Sequence, residues 1–147
     1  MLKQTAILAV AGLASAATVP TRWASVYNNC NWDVFVTDGE TVNSYLPKGQ
    51  IYTNGYPKDG EKKTFKIARA TDGVKVPTLL LSFGTKNGKV NYELTTGENG
   101  SPFSGSKIEV SSSNDKCPKI EWSQGVPAGS NHGSCSADNS IAVGLCL

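Results

Sequence analysis

Histidine, net charge and long apolar runs are what this chain has least of. Its 147 residues include one histidine, one methionine and four cysteines, and 18% of them are charged. After the N-terminal segment no apolar stretch approaches the roughly 20 residues of a membrane-spanning helix, so no span is expected. No basic run occurs, and 14 Lys and Arg against 12 Asp and Glu argue against nucleic acid or an anionic bilayer as the main partner. The one histidine, His132, stands in Ser130-Asn131-His132-Gly133-Ser134. With no CxxC spacing beside it, a zinc centre is not expected, and no other metal or cofactor is implied. The GxSxG elbow of a serine hydrolase is missing too, which leaves His132 as a histidine of a surface loop.

What the N-terminus does contain follows a secretory order. Lys3 supplies the charge, Ala6 to Leu13 the short apolar core, and Ala14-Ser15-Ala16 a small-residue cleavage site. Residues 1–16 are expected to be a signal peptide, cleaved after Ala16 or Ala17, and residues 17–147 a single soluble domain, secreted to the extracellular space or the cell wall. With Lys3 removed, 13 basic residues face 12 acidic ones, a formal charge of +1.

Four cysteines in such a chain are compatible with two disulfides in three connectivities. The favoured pairing joins Cys117 to Cys135, closing a local loop in a turn-rich segment, and Cys30 to Cys146, tying the first strand of the domain to the last. In the chain-entropy view these contribute about 3 and somewhat under 5 kcal/mol.

The rest of the sequence reads as short strands between turns. Strands are expected over 24–29, 33–37, 41–46, 64–70, 78–83, 89–95, 107–112 and 140–146, about eight in all. Asp38-Gly39, Asp72-Gly73 and Asn87-Gly88 mark turns, the last being the strongest hairpin signal. Leu79-Leu80-Leu81 suits a buried central strand. Residues 50–63, with Asn54-Gly55, Tyr56-Pro57 and Asp59-Gly60, read as a loop. No helical apolar period is present, and the pattern indicates an all-β antiparallel sandwich.

At this level the residues become specific. Val26-Tyr27-Asn28-Asn29-Cys30-Asn31-Trp32-Asp33-Val34-Phe35-Val36 resembles the opening strand pair of thaumatin-like proteins. Asn91-Tyr92-Glu93-Leu94, Ser101-Pro102-Phe103-Ser104-Gly105, Cys117-Pro118-Lys119-Ile120-Glu121-Trp122, Gly125-Val126-Pro127-Ala128-Gly129, Cys135 and Leu145-Cys146 resemble, in order and spacing, a small fungal branch of that fold. That branch is the blastomyces yeast-phase-specific, or antigenic thaumatin-like, family. The resemblance implies a reduced thaumatin-like β-sandwich stapled by two disulfides. Larger thaumatin-like proteins add a disulfide-rich domain and an acidic cleft that in some members binds or slowly cleaves β-glucan. This chain is too short for that domain, and it departs from the acidic pattern at Glu93 and at Gly100-Ser101.

The function expected is therefore that of a secreted, non-enzymatic fungal antigen or effector-like binding module, monomeric, whose partner is an extracellular protein or a cell-wall polysaccharide. The alternatives are a β-glucan-binding or weakly β-glucan-hydrolysing protein and an inhibitor of a foreign extracellular enzyme. A glycosidase needs two carboxyl groups across a cleft; Glu93 with Glu98 is the best such pair, although Glu93 alternates as a solvent-facing strand residue does. Sugar rings stack on exposed aromatic faces. Trp32 and Trp122 are expected to pack around the disulfides, and Tyr52 and Tyr56, in the turn-rich interval, to be the exposed pair. Asn99-Gly100-Ser101 is a glycosylation sequon followed directly by Pro102, and Asn28-Asn29-Cys30 fits only the rarer cysteine form.

Overall fold

The structure, a computed structural model, describes residues 22–39, 42–69 and 76–147. The expected signal peptide and the Asp72-Gly73 turn lie outside the described residues. Among the described residues the strands are β1 (Trp23–Asn28), β2 (Val34–Asp38), β3 (Val42–Leu46), β4 (Ile51–Gly55), β5 (Lys62–Arg69), β6 (Leu79–Lys86), β7 (Lys89–Thr96), β8 (Ile108–Ser112), β9 (Ile120–Trp122), β10 (His132–Ser136) and β11 (Ile141–Leu145). They form two sheets, ordered β4-β1-β11-β8-β9 and β10-β7-β6-β5-β2-β3, packed as an all-β sandwich.

The period of two decides which side chains face inward. Ala24, Val26, Ile108, Val110, Ile141, Val143 and Leu145 of the first sheet are buried against Val34, Val36, Phe65, Ile67, Leu79, Leu81, Phe83, Val90 and Leu94 of the second. Phe65 and Phe83 meet edge to face at 4.8 Å between ring centroids in the middle of this layer. Full burial of each such side chain is worth about 1.5–3 kcal/mol. The Asn87-Gly88 turn forms as read: both residues take positive φ, 52° and 74°, as a two-residue type I′ turn requires. It holds β6 and β7 in register from Leu79↔Thr96 to Lys86↔Lys89.

Three segments depart from the expected pattern. Residues 51–55, read as loop, form β4, and β5 begins at Lys62. The supposed His132 loop is β10, an edge strand paired with β7 from His132↔Glu93 to Ser136↔Lys89. Ile120–Trp122 adds β9.

One strand pair is parallel rather than antiparallel: β1 runs alongside β11, from Ala24↔Ile141 to Asn28↔Leu145. Parallel neighbours finish at the same end of a sheet, so the residues that follow them meet. Cys30 and Cys146 lie 5.0 Å apart at Cα and are bonded. Asn28 organises this corner from a fully buried position. Its amide donates to Trp32 O at 2.9 Å and to Leu46 O at 2.8 Å, and its Oδ1 accepts from Cys30 N at 2.9 Å. Buried and fully bonded, Asn28 is not accessible as a glycan acceptor. The second disulfide, Cys117–Cys135, bridges 5.5 Å between Cα atoms and anchors β10.

Candidate functional site

Tyr52 and Tyr56, expected at the surface, turn inward. β4 pairs with β1 in the register Val26↔Tyr52 and Ala24↔Asn54, which puts Tyr52 and Asn54 on the core side. Tyr52 stands edge-on to Phe65 at 5.4 Å, and Tyr56 tilts against Phe83 at 5.9 Å. The two tyrosines thus cap the Phe65–Phe83 pair. The turn-rich reading failed because Tyr52 obeys strand parity inside a strand bounded by turn residues.

The hydroxyl of Tyr52 ends on Asp38, a residue whose place before Gly39 marks it in the sequence as a turn residue. Asp38 shares the inward parity of Val34 and Val36, and its side chain is 6% exposed. Its Oδ2 accepts from Tyr52 OH at 2.8 Å and also from Asn54 Nδ2. Lys63 Nζ lies 3.6 Å from its Oδ1. A buried carboxylate survives only when it is bonded and paired in this way. The parity of positions 34, 36 and 38 was the sequence signal for it. Burial, and then the bond to Asp38, pushes the Tyr52 phenol up to about 12.

At one end of the sandwich, loops enclose a cleft of about 470 Å3. Arg22 enters from the start of β1, Tyr56, Pro57 and Asp59 from the segment after β4, Thr85 and Gly88 from the β6–β7 hairpin, and Ala137 from the turn before β11. Arg22 Nη2 contacts Asp138 Oδ1 at 2.7 Å with both side chains largely in solvent. Tyr56 OH donates to Asn139 O at 2.6 Å, which fixes the ring as one wall, and burial raises its phenol above the ordinary value. Pro57 and the Tyr56 ring offer apolar faces, while Arg22 and Asp59 offer one charge of each sign.

Glu93 and Glu98 do not come together. Glu93 projects from the outer face of β7 in a cross-strand row with Ser82 and His132. It lines a shallow cavity of about 240 Å3 in which Lys62, at 3.8 Å from Oε2, is its ionic partner. Glu98 is exposed in the turn closed by Gly100 N donating to Gly97 O. Glu98 is not among the residues that line the Glu93 cavity, so the two carboxylates do not share one wall as a glycosidase pair does. Each of these two cavities carries a single carboxylate in its lining. Among the described residues no group of three or more His, Cys, Asp and Glu is placed to hold a metal.

Trp122 is fully buried on β9, as expected. Trp32 packs partly against the core and carries the Arg69 guanidinium 3.9 Å above its ring. Asn99 is exposed beside Glu98, and the Ser101 hydroxyl of its sequon accepts from Phe103 N at 3.1 Å.

Comparison with known proteins adds a fold neighbour and a family. The protein elicitor MoHrip2 from Magnaporthe oryzae superposes with a TM-score of 0.68 over 86% of this chain and 99% of that one, at 20% sequence identity. At that identity the likeness speaks for the fold. No curated protein matches the sequence. The family model described as Bys1, Blastomyces yeast-phase-specific protein, matches residues 9–147, so the chain belongs to that family.

Proposed function

We propose that this protein is a secreted, non-enzymatic extracellular binding protein of antigen or effector type, and that it meets its partner through the Arg22–Tyr56–Pro57–Asp59 cleft. The observation that carries the reading is the composition of that cleft. A fixed aromatic wall, a proline face and one charge of each sign are suited to orienting a ligand. A glycosidase would need a second carboxylate on the same wall, and the cleft lining has Asp59 alone. The family membership and the elicitor-like fold support an extracellular role. The Cys30–Cys146 staple supports an oxidising compartment and the reading of the sandwich as a reduced thaumatin-like fold.

A polysaccharide ligand is the second reading, favoured by the Tyr56 and Pro57 faces beside Asp59. Both are tested in one experiment. The purified chain and its Arg22→Ala and Asp59→Ala variants are incubated with intact host cells, with insoluble β-1,3-glucan and with chitin, and reducing-sugar release is assayed in the same tubes. Cell binding that both variants weaken, without sugar release, is the expected result. Depletion by glucan or chitin makes the ligand a polysaccharide. Sugar release overturns the non-enzymatic reading, and binding unchanged in both variants removes the cleft as the site.

A further inference from the structure

β4 is an edge strand, with no neighbour on its outer side among the described residues. Asn28 N donates to Gln50 O at 3.1 Å and Tyr56 N to Arg22 O at 3.3 Å. By that parity Tyr52 and Asn54 direct their main-chain groups to β1, and Ile51, Thr53 and Gly55 direct theirs away from it. Gly55 N is satisfied by Asn54 Oδ1 at 2.8 Å. The N–H and C=O of Ile51 and Thr53, and the C=O of Gly55, have no partner among the described residues.

Of the other three edge strands, β9 and β10 are guarded, while β3, Val-Asn-Ser-Tyr-Leu, is as long and as uncharged as β4 but has no glycine to seat a facing side chain. β9 is three residues long, carries Glu121 and follows Lys119. On β10, Ser130 Oγ donates to His132 O at 3.2 Å, and both Asn139 N and Asn139 Nδ2 donate to Ser136 O. β4, Ile-Tyr-Thr-Asn-Gly, has five residues, no charge and no proline, the composition of an edge that accepts another strand.

The side chains on its outer face complement their own inverse. Ile51 is 61% exposed, and at Gly55 the space a Cβ would take is open. When two copies of β4 pair antiparallel about Thr53, Ile51 of each copy stands directly opposite Gly55 of the other, and Thr53 opposite Thr53. Gly55 is flanked on β1 by Trp23, and Ile51 by Tyr27. The isoleucine of one copy thus covers the glycine gap of the other and reaches toward Trp23, an arrangement in which an aromatic and an apolar side chain close over a strand glycine. A twofold interface requires this reciprocity, with each residue meeting its counterpart's partner.

We propose that two copies of this chain associate edge to edge through β4, joining two five-stranded sheets into one continuous sheet. This goes beyond the binding role assigned to the cleft and replaces the monomer expected from the sequence. An unrelated extended peptide would gain the same main-chain bonds but not the reciprocal fit of Ile51 over Gly55.

Sedimentation of the purified chain over a concentration series tests the proposal. Thr53→Pro deletes an N–H that has no partner among the described residues, as edge prolines do, together with the Thr53 Oγ1–Ser25 Oγ contact, and Gly55→Leu fills the seat. Ile51→Lys, at an exposed position, keeps the fold intact even where the other two do not, and circular dichroism verifies folding of each. The expected result is a rise to twice the monomer mass with concentration, insensitive to salt because the edge is uncharged, with each folded variant weakened at least about tenfold. A wild-type chain that stays monomeric throughout overturns the proposal, whether or not it captures a synthetic extended peptide. So does dimerisation undiminished in Ile51→Lys.

Discussion

Tyr52 reaches from one sheet of the sandwich to Asp38 of the other, donating its phenolic hydrogen at 2.8 Å to a carboxylate that is 6% exposed. With Asn54 and Lys63 on the same carboxylate, this contact fastens the sheets at the end of β2, where Asp38 pairs with Val42 of β3. Removing one donor from a buried charge costs more than an average hydrogen bond, since the charge loses part of its solvation. Tyr52→Phe should therefore lower stability by about 1.5–3 kcal/mol, read as a drop in the urea midpoint at unchanged slope. Asp38→Ala should cost at least as much, and a double variant should lose less than the sum of the two. Additive losses would mean that the contact contributes nothing.

The same contact makes the fold sensitive to alkali. Tyr52 is raised from 10.0 to about 12, by burial first and by Asp38 second, and burial raises Tyr56 as well. An acid whose folded value is raised keeps its proton longer in the native chain than in the unfolded one. Its contribution is intact below pH 10 and is lost as pH climbs from about 10 toward 12, where the unfolded chain ionises first. Stability followed by denaturant titration should be flat with respect to these groups at neutral pH and fall through that window. Tyr52→Phe should make the fall shallower.

Much of the sandwich was legible because its central strands obey one rule. Val90, Tyr92 and Leu94 alternate with polar residues, and Asn87-Gly88 sets the hairpin. The strands that escaped are edges or follow no local signal. β10, His-Gly-Ser-Cys-Ser, has no β-branched residue and is held by β7 and by Cys135. The parallel pairing of β1 with β11 joins the two ends of the described chain, a contact that no local pattern encodes. The candidate site was harder still. Tyr56 stands out in the sequence by its neighbouring turns, but Arg22, Thr85 and Ala137 reach the same cleft only through sheet order.

Gly125 is a position where the fold tolerates no side chain. Its φ is +68°, and a Cβ there would collide with the backbone carbonyls of Phe103 and Ser106. Neither oxygen belongs to a side chain that can swing aside. Gly129, at φ +66°, has open space instead. Gly129→Ala should cost about 1–2 kcal/mol, the ordinary penalty of a left-handed residue. Gly125→Ala carries the same penalty plus a main-chain clash and should exceed about 3 kcal/mol, seen as a loss of soluble folded protein or of cooperative unfolding. Equal behaviour of the two variants would contradict the clash.

The two disulfides should differ in weight, and the difference should track loop length. Cys30–Cys146 joins residues 116 apart and Cys117–Cys135 residues 18 apart. Crosslinking restricts the unfolded chain more when the closed loop is longer, about 4.7 against about 3 kcal/mol for loops of these sizes. The long link also sits where β1 and β11 finish side by side, next to the buried Asn28 network, so losing it exposes bonded groups as well as freeing chain. Replacing both cysteines of the Cys30–Cys146 pair with serine should lower the thermal midpoint more than the same change at Cys117–Cys135. The shorter link should act locally, its loss raising hydrogen exchange in β10 before the rest of its sheet. A larger loss from the Cys117–Cys135 variant would mean that anchoring β10 outweighs chain entropy in this sandwich.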